Sequence, residues 1–159
     1  MLGVWNFSKV GKKHVIETNQ EDLIKEKEKV DSTVKKEVKV KSSDRVQEGR
    51  VYVSSSYNNT IITLTNAKGQ VLVSKSAGAV GFKGTKKSTS FAASRVAETI
   101  ANVCKKLAVE KIEVFIKGIG AGRESAVRTL VNQGLNIISI KDITPIPHNG
   151  VTPKKVRRV

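Results

Sequence analysis

The sequence predicts a mixed α/β domain, strand order β-β-β-α-β-α-β, followed by an extended basic tail. Three observations carry this. Three β-branched runs with alternating polarity stand close together at 51–74. Two segments with helical periodicity then alternate with two further strand-like runs. All three prolines fall after Thr144, where no inner strand or helix can follow.

Residues 1–49 differ in composition from the rest. Leu2, Val4, Trp5 and Phe7 form a short apolar cluster. The mixed-charge run Glu21 to Lys29 suits a helix, and Val34 to Val40 alternates like a strand. Neither run has enough apolar surface to fold alone, so this segment is expected to be an arm, disordered when free.

The domain is expected over residues 50–143. Val51-Tyr-Val53 and Thr60 to Thr65 are the first strands, and Asn66-Ala-Lys-Gly69 is a compact turn in which Gly69 supplies positive φ. Gln70 to Ser74 returns to complete an antiparallel meander. Ala93, Val96, Ala97, Ile100, Val103, Cys104 and Leu107 repeat at i, i+3, i+4, i+7, a helix with one buried face. Ser88, Thr89 or Ser90 can cap it. Lys111 to Lys117 alternates as a strand, and Gly118-Ile-Gly-Ala-Gly-Arg123 turns into a shorter helix carrying Ala126, Val127, Leu130 and Val131. Gly134 suits the position just past its end. Leu135 to Lys141 is the last strand, and the short links imply parallel crossovers. Residues 144–159 have no periodicity and form the extended tail.

Charge sets the class of partner. The formal net charge is +15, which favours a polyanion. Residues 1–50 hold 12 basic and 9 acidic side chains, whereas residues 51–159 hold 17 and 5, so the foldable part carries most of the excess. The single Cys104 excludes an internal disulfide framework and a cysteine-rich zinc site. No apolar run reaches the roughly 18 residues that span a membrane, and the N-terminus lacks the apolar stretch of a secretory signal. A protein of a reducing compartment with no membrane partner is expected.

The cations gather around one loop. Between Val73 and Phe91 stand Lys75, Lys83, Lys86 and Lys87, with glycines and hydroxyls, directly before a helix. No acidic residue lies between Lys68 and Arg95. Lysines, hydroxyls and helix N-termini all favour phosphate oxygens. Arg123 and Arg128 on the second helix, and Lys154, Lys155, Arg157 and Arg158 in the tail, complete the set.

Enzymatic readings fail on spacing and on acids. Gly118-Ile-Gly-Ala-Gly follows a strand, as a dinucleotide loop does, but Arg123 occupies the third glycine's place. The loop at 78–87 has no Gly-Lys-Ser/Thr at the phosphate-loop offset. The strand order suggests a ribonuclease H-like arrangement, whose metal chemistry needs several converging carboxylates. The first three strands contain none, and the domain offers only Glu98, Glu110, Glu113, Glu124 and Asp142. No catalytic residues, metal ligands or cofactor are expected. Aromatics are too few for a sheet that stacks single-stranded bases, so recognition of folded RNA by shape and phosphate fits better.

Tyr57-Asn-Asn-Thr-Ile-Ile-Thr, Gly81-Phe-Lys-Gly-Thr-Lys-Lys-Ser-Thr, Phe91-Ala-Ala, Lys117-Gly-Ile-Gly-Ala-Gly-Arg-Glu-Ser-Ala and Asp142-Ile-Thr-Pro-Ile-Pro-His-Asn-Gly occur in order. Together they resemble the universal S-eleven family of small-subunit ribosomal proteins, from about residue 50 to the C-terminus. The resemblance implies a ribonuclease H-like fold without nuclease activity. It also implies a place on the subunit platform, bound to rRNA near the mRNA exit path and beside other platform proteins. The rRNA-facing residues it implies are Asn58, Asn59, Lys83, Lys86, Lys87, Arg123, His148, Asn149 and the cationic tail. The alternatives are an RNA-binding module acting outside the ribosome and a degenerate ribonuclease H-like nuclease.

Two departures bear on this expectation. The family tail usually reads Gly-Cys-Arg-Pro-Pro-Lys-Arg-Arg-Arg-Val, and here it is Gly150-Val-Thr-Pro-Lys-Lys-Val-Arg-Arg-Val, with fewer bidentate arginines. The arm at 1–49 is not part of the common core. Both favour a mitochondrial or other organellar ribosome over a bacterial one. Asn149-Gly150 is also open to isoaspartate formation, because glycine scarcely hinders attack of its nitrogen on the Asn side chain. Peptide mapping that finds only unmodified Asn149 in mature ribosomes excludes this.

Overall fold

The structure, a computed structural model, describes residues 24, 25, 28, 30–32, 47–152 and 154–156. The expected apolar cluster at 2–7, the strand-like run at 34–40, and Arg157 and Arg158 lie outside the described residues.

The elements are β1 (Glu48–Ser55), β2 (Thr60–Asn66), β3 (Val71–Ser76), α1 (Ser90–Lys106), β4 (Lys111–Lys117), α2 (Gly122–Asn132) and β5 (Ile137–Asp142). One sheet contains all five strands in the order β3-β2-β1-β4-β5. β1 pairs antiparallel with β2, and β2 with β3, while β1–β4 and β4–β5 are parallel. The expected meander followed by two crossovers is therefore the observed fold.

Local chemistry explains the boundaries. At the β2–β3 turn Gly69 has φ +85° and its N–H donates to Asn66 O at 3.0 Å. Asn66 Oδ1 accepts from Gln70 N at 2.9 Å. Of the three possible caps for α1 the structure uses Thr89, whose hydroxyl oxygen accepts from Ala92 N at 3.2 Å. Lys105 and Lys106 in its last turn complement the helix dipole. Gly134, at φ +76°, turns the chain out of α2.

Both helices pack on one face of the sheet and on each other. Alanines 92, 93, 97 and 101 are buried in α1, which packs over β2 and β3, where Ile62, Leu64 and Val73 are buried. Ala126 and Leu130 are the buried side chains of α2's apolar stripe. Cys104 lies within this core, and burial pushes its thiol up to about 12, which makes it an unreactive packing residue.

Two features extend the sequence reading. Ile24, Lys25, Glu28 and residues 30–32 are helical, Val30 is 5% exposed within the apolar core, and Asp31 pairs with Arg95 at 3.2 Å. β1 itself begins at Glu48, inside the span assigned to the arm. At the other edge, Ile140 is in register with buried Val114, so it faces the helix side, yet Ile138 and Ile140 stay more than half exposed. The reason is topological: α2 lies over β1 and β4, and β5 is the edge strand.

Candidate nucleic-acid interface

The pairing pattern makes β1, β3, β4 and β5 run in the same direction. Their C-terminal ends therefore share one end of the domain with the N-termini of α1 and α2. Four connections collect there: the β1–β2 turn at 56–59, the loop at 77–89, the β4–α2 loop at 118–121 and the start of the tail. Asn58, Asn59, Lys75, Lys83, Lys86, Lys87, Arg123, His148 and Asn149, scattered over 92 positions of sequence, belong to these connections or the element ends beside them. Arg128 is exposed but sits six residues into α2, roughly 9 Å from its start. Lys154 and Lys155 are exposed in the tail.

The loop at 77–89 is ordered by its own backbone. Val80 N donates to Ser76 O at 3.2 Å and Phe82 N to Ala77 O at 3.1 Å, while Ala77 and Val80 are buried. A short 3₁₀ turn, Gly84–Ser88, leads into the Thr89 cap. The buried alanine and valine fix the loop's base, and Lys83 and Lys86 are left exposed on its outer side.

Glycines 118, 120 and 122 do something other than cradle a ligand. A Cβ on Gly118 would lie 2.2 Å from Ser55 O, one on Gly120 2.3 Å from Ser56 O, and one on Gly122 2.5 Å from Thr60 Oγ1. Gly120 N donates to Ser55 O at 3.0 Å. Gly118 and Gly120 are required because two backbones touch, with both N–H groups already bonded within the protein, and Gly122 because side chains of β1, β2 and α1 close on it. Sequence spacing excluded a dinucleotide loop but did not reveal this use.

Arg123 is likewise turned inward. Its guanidinium donates to Gly118 O, to Asp142 Oδ2 and, at 3.4 Å, to Thr144 Oγ1. Asp142 also accepts from the Thr144 hydroxyl at 2.6 Å and from Thr144 N at 2.9 Å. Thr144 Oγ1 in turn accepts from Gly118 N at 3.1 Å. Thr144's two hydrogen bonds, with help from Arg123, hold the Asp142 carboxyl down at about 2. Arg123 thus fastens the root of the tail to the β4–α2 loop, a positioning role that its place in the motif did not disclose. Nothing in the sequence marked Thr144 as the partner except its closeness to Asp142.

The same end exposes apolar side chains that charge and spacing did not single out. Tyr57 is 73% exposed, Ile119 60% and Phe91 56%. Arg95 lies over the Phe91 ring at 5.3 Å and Phe82 meets it edge-on at 5.9 Å. Asn59 Oδ1, in the turn beside Tyr57, is buried and accepts no hydrogen bond.

The open face of the sheet is a separate surface. Tyr52 and Phe115, opposite each other in register, stack at 5.0 Å, and Lys141 lies 5.5 Å from the Phe115 ring. It carries ion pairs of its own, in which one carboxylate, Glu113, meets both Arg50 at 3.3 Å and Lys141 at 3.5 Å. Beyond α2, Val131, Leu135, Ile138 and Ile140 line an uncharged groove along β5.

Among the described residues no group of three His, Cys, Asp or Glu is placed to hold a metal ion. No helix among them is long and apolar enough to cross a membrane. A basic α/β domain that gathers a lysine-rich, acid-free loop at the C-terminal ends of its strands fits the class of nucleic-acid-associated scaffolds. Residues 49–158 match the family model described as Ribosomal protein S11. The small ribosomal subunit protein uS11 of Treponema pallidum (strain Nichols) is 50% identical over 121 residues, 76% of this chain and 96% of that protein. The small ribosomal subunit protein uS11c of Chlorella vulgaris is 49% identical over 126 residues, 79% and 97% of the two chains. The uS11 of Borreliella burgdorferi is 49% identical over 121 residues, 76% and 93%. The chain belongs to the ribosomal protein S11 family, a family of structural and non-enzymatic proteins.

Proposed function

We propose that this chain is a structural constituent of the small ribosomal subunit and holds rRNA against the strand-end of its domain. The observation that carries this reading is the convergence of Lys75, Lys83, Lys86, Lys87, Asn58 and Asn59 with two helix N-termini at one end. The basic loop supplies charge, the asparagines supply directional donors and acceptors, and the buried base of the loop keeps both in place. The tail leaves the same end from a root fixed by Arg123, Asp142 and Thr144, so Lys154 and Lys155 extend the contact outward. The proposed surroundings are the platform near the mRNA exit path, with neighbouring platform proteins beside it. The spirochaete and Chlorella relatives support a bacterial-type ribosome. The narrower placing in an organelle, and in a mitochondrion in particular, rests on the altered tail and the added arm.

Sedimentation of the tagged full-length chain through sucrose gradients at low and higher salt tests this. Co-migration with small subunits and monosomes is expected, with organelle fractionation beforehand fixing the compartment. A peak confined to the top of the gradient at low salt overturns the ribosomal reading and leaves an RNA-binding module outside the ribosome.

A further inference from the structure

We infer that Tyr57 is a stacking platform for one unpaired nucleobase of the RNA held at the strand-end, with Ile119 flanking the same base. This rests on the proposed RNA-binding function and gives that surface a contact that is not electrostatic.

Tyr57 is the most exposed aromatic residue among the large hydrophobics at this end, and its presentation is rigid. Its turn is closed by Ser56 N donating to Asn59 O at 2.9 Å, and Asn59 N donates back to Ser56 Oγ at 3.2 Å. The turn is also clamped from the side, because Gly120 packs its backbone directly on Ser56 and bonds to Ser55 O. The clamp brings Ile119, the residue next to Gly120, up to the turn that carries Tyr57. Two large apolar side chains are thus held in solvent on adjoining loops, side by side at the end that carries the lysine loop.

Charge decides the occupant. The loop at 77–89 brings exposed lysines to this end, and no acidic side chain lies in it or in the 56–59 turn. The carboxylates at this end are few, Glu124 in the first turn of α2 and Asp142, which Arg123 and Thr144 already engage. Lysines outnumber them, and an RNA strand supplies both phosphates for the lysines and a flat face for the ring. Asn58, next to Tyr57 in the same turn, is exposed and carries an amide of the kind that reads base edges. The contact taken is therefore an unstacked base of a loop, bulge or end, since bases inside an A-form helix present no free face.

The test uses the full chain and a transcript of small-subunit rRNA, with filter binding measured over about 50 to 200 mM salt. Stacking is nearly independent of salt, whereas each lysine–phosphate contact contributes about 0.7–0.9 to the slope of log K against log salt. Tyr57→Ala is expected to weaken binding by about 5- to 150-fold at every salt concentration with the slope unchanged. Tyr57→Phe, which keeps the ring, is expected to bind as wild type, and Lys83→Gln to lower the slope. Because Tyr57 is exposed, thermal unfolding of all three variants should match wild type. Wild-type affinity in Tyr57→Ala overturns the stacking contact. If that variant is also lost from small subunits in a gradient, the ring faces a protein instead. Equal losses in Tyr57→Phe and Tyr57→Ala also overturn it, assigning the contact to the hydroxyl. Absence of salt-dependent binding by the wild type defeats the RNA reading of the whole end, a result distinct from the others.

Discussion

Gly120, with Gly118, is where the loops of the molecule's functional end press together most closely, and a methyl group there has no room to move into. Its Cβ would meet Ser56 O at 2.3 Å and Ser55 Oγ at 2.5 Å, so the two loops must separate. Gly120→Ala is expected to lower stability by about 1–3 kcal/mol in urea unfolding. Gly78→Ala, whose Cβ meets nothing closer than 3.7 Å, should change it by less than about 0.5 kcal/mol. Asp142 offers a second test at this scale. Its carboxyl is held at about 2 against an ordinary 3.8, so the folded state binds the proton less readily than the unfolded one. Its contribution is therefore present above about pH 4 and lost as pH falls toward about 2. NMR titration of the Asp142 carboxyl should give a midpoint near 2, and Arg123→Gln should raise it. Stability of Asp142→Asn should fall less steeply than wild type across that window.

At the scale of the element, helices α1 and α2 are what aim the interface, since each begins where a strand ends. Thr89→Ala removes the side-chain cap of α1 and should cost about 1 kcal/mol in thermal or urea unfolding, with Thr89→Ser close to wild type. The order of elements was legible in the sequence because the periods of 2 and 3.6 alternate cleanly between Val51 and Lys141. The lysine loop was legible because it concentrates one charge without opposing acids. Other features were hidden because they depend on pairs distant in sequence. Gly120 and Ser56 are 64 residues apart, and Arg123 meets Thr144 only after β5 has returned alongside β4. Val30 belongs to the same group. Charge-rich neighbours made its segment look unable to fold, yet it reaches the apolar core once α1 and the sheet exist to receive it. Val30→Ala should therefore lower stability by about 1–2 kcal/mol, read by urea unfolding of the full chain.

The described residues divide the molecule's surface by chemistry: the lysine loop at the strand ends, Glu113 shared by Arg50 and Lys141 on the open sheet face, and isoleucines along β5. That last region bears on how the free chain survives between synthesis and assembly. An edge strand whose first four residues, Ile137 to Ile140, are uncharged and mostly β-branched offers a template to a second copy of itself. The net charge of +15 keeps copies apart, so mutual repulsion guards an edge that side chains leave open. Analytical ultracentrifugation of the free protein should show a monomer at low salt and growing self-association as screening rises, with Ile138→Lys remaining monomeric throughout. Binding a polyanion removes that repulsion at the moment the chain reaches its site. The excess charge thus acts as a built-in chaperone, protecting the unassembled chain and neutralised only when a partner is in place.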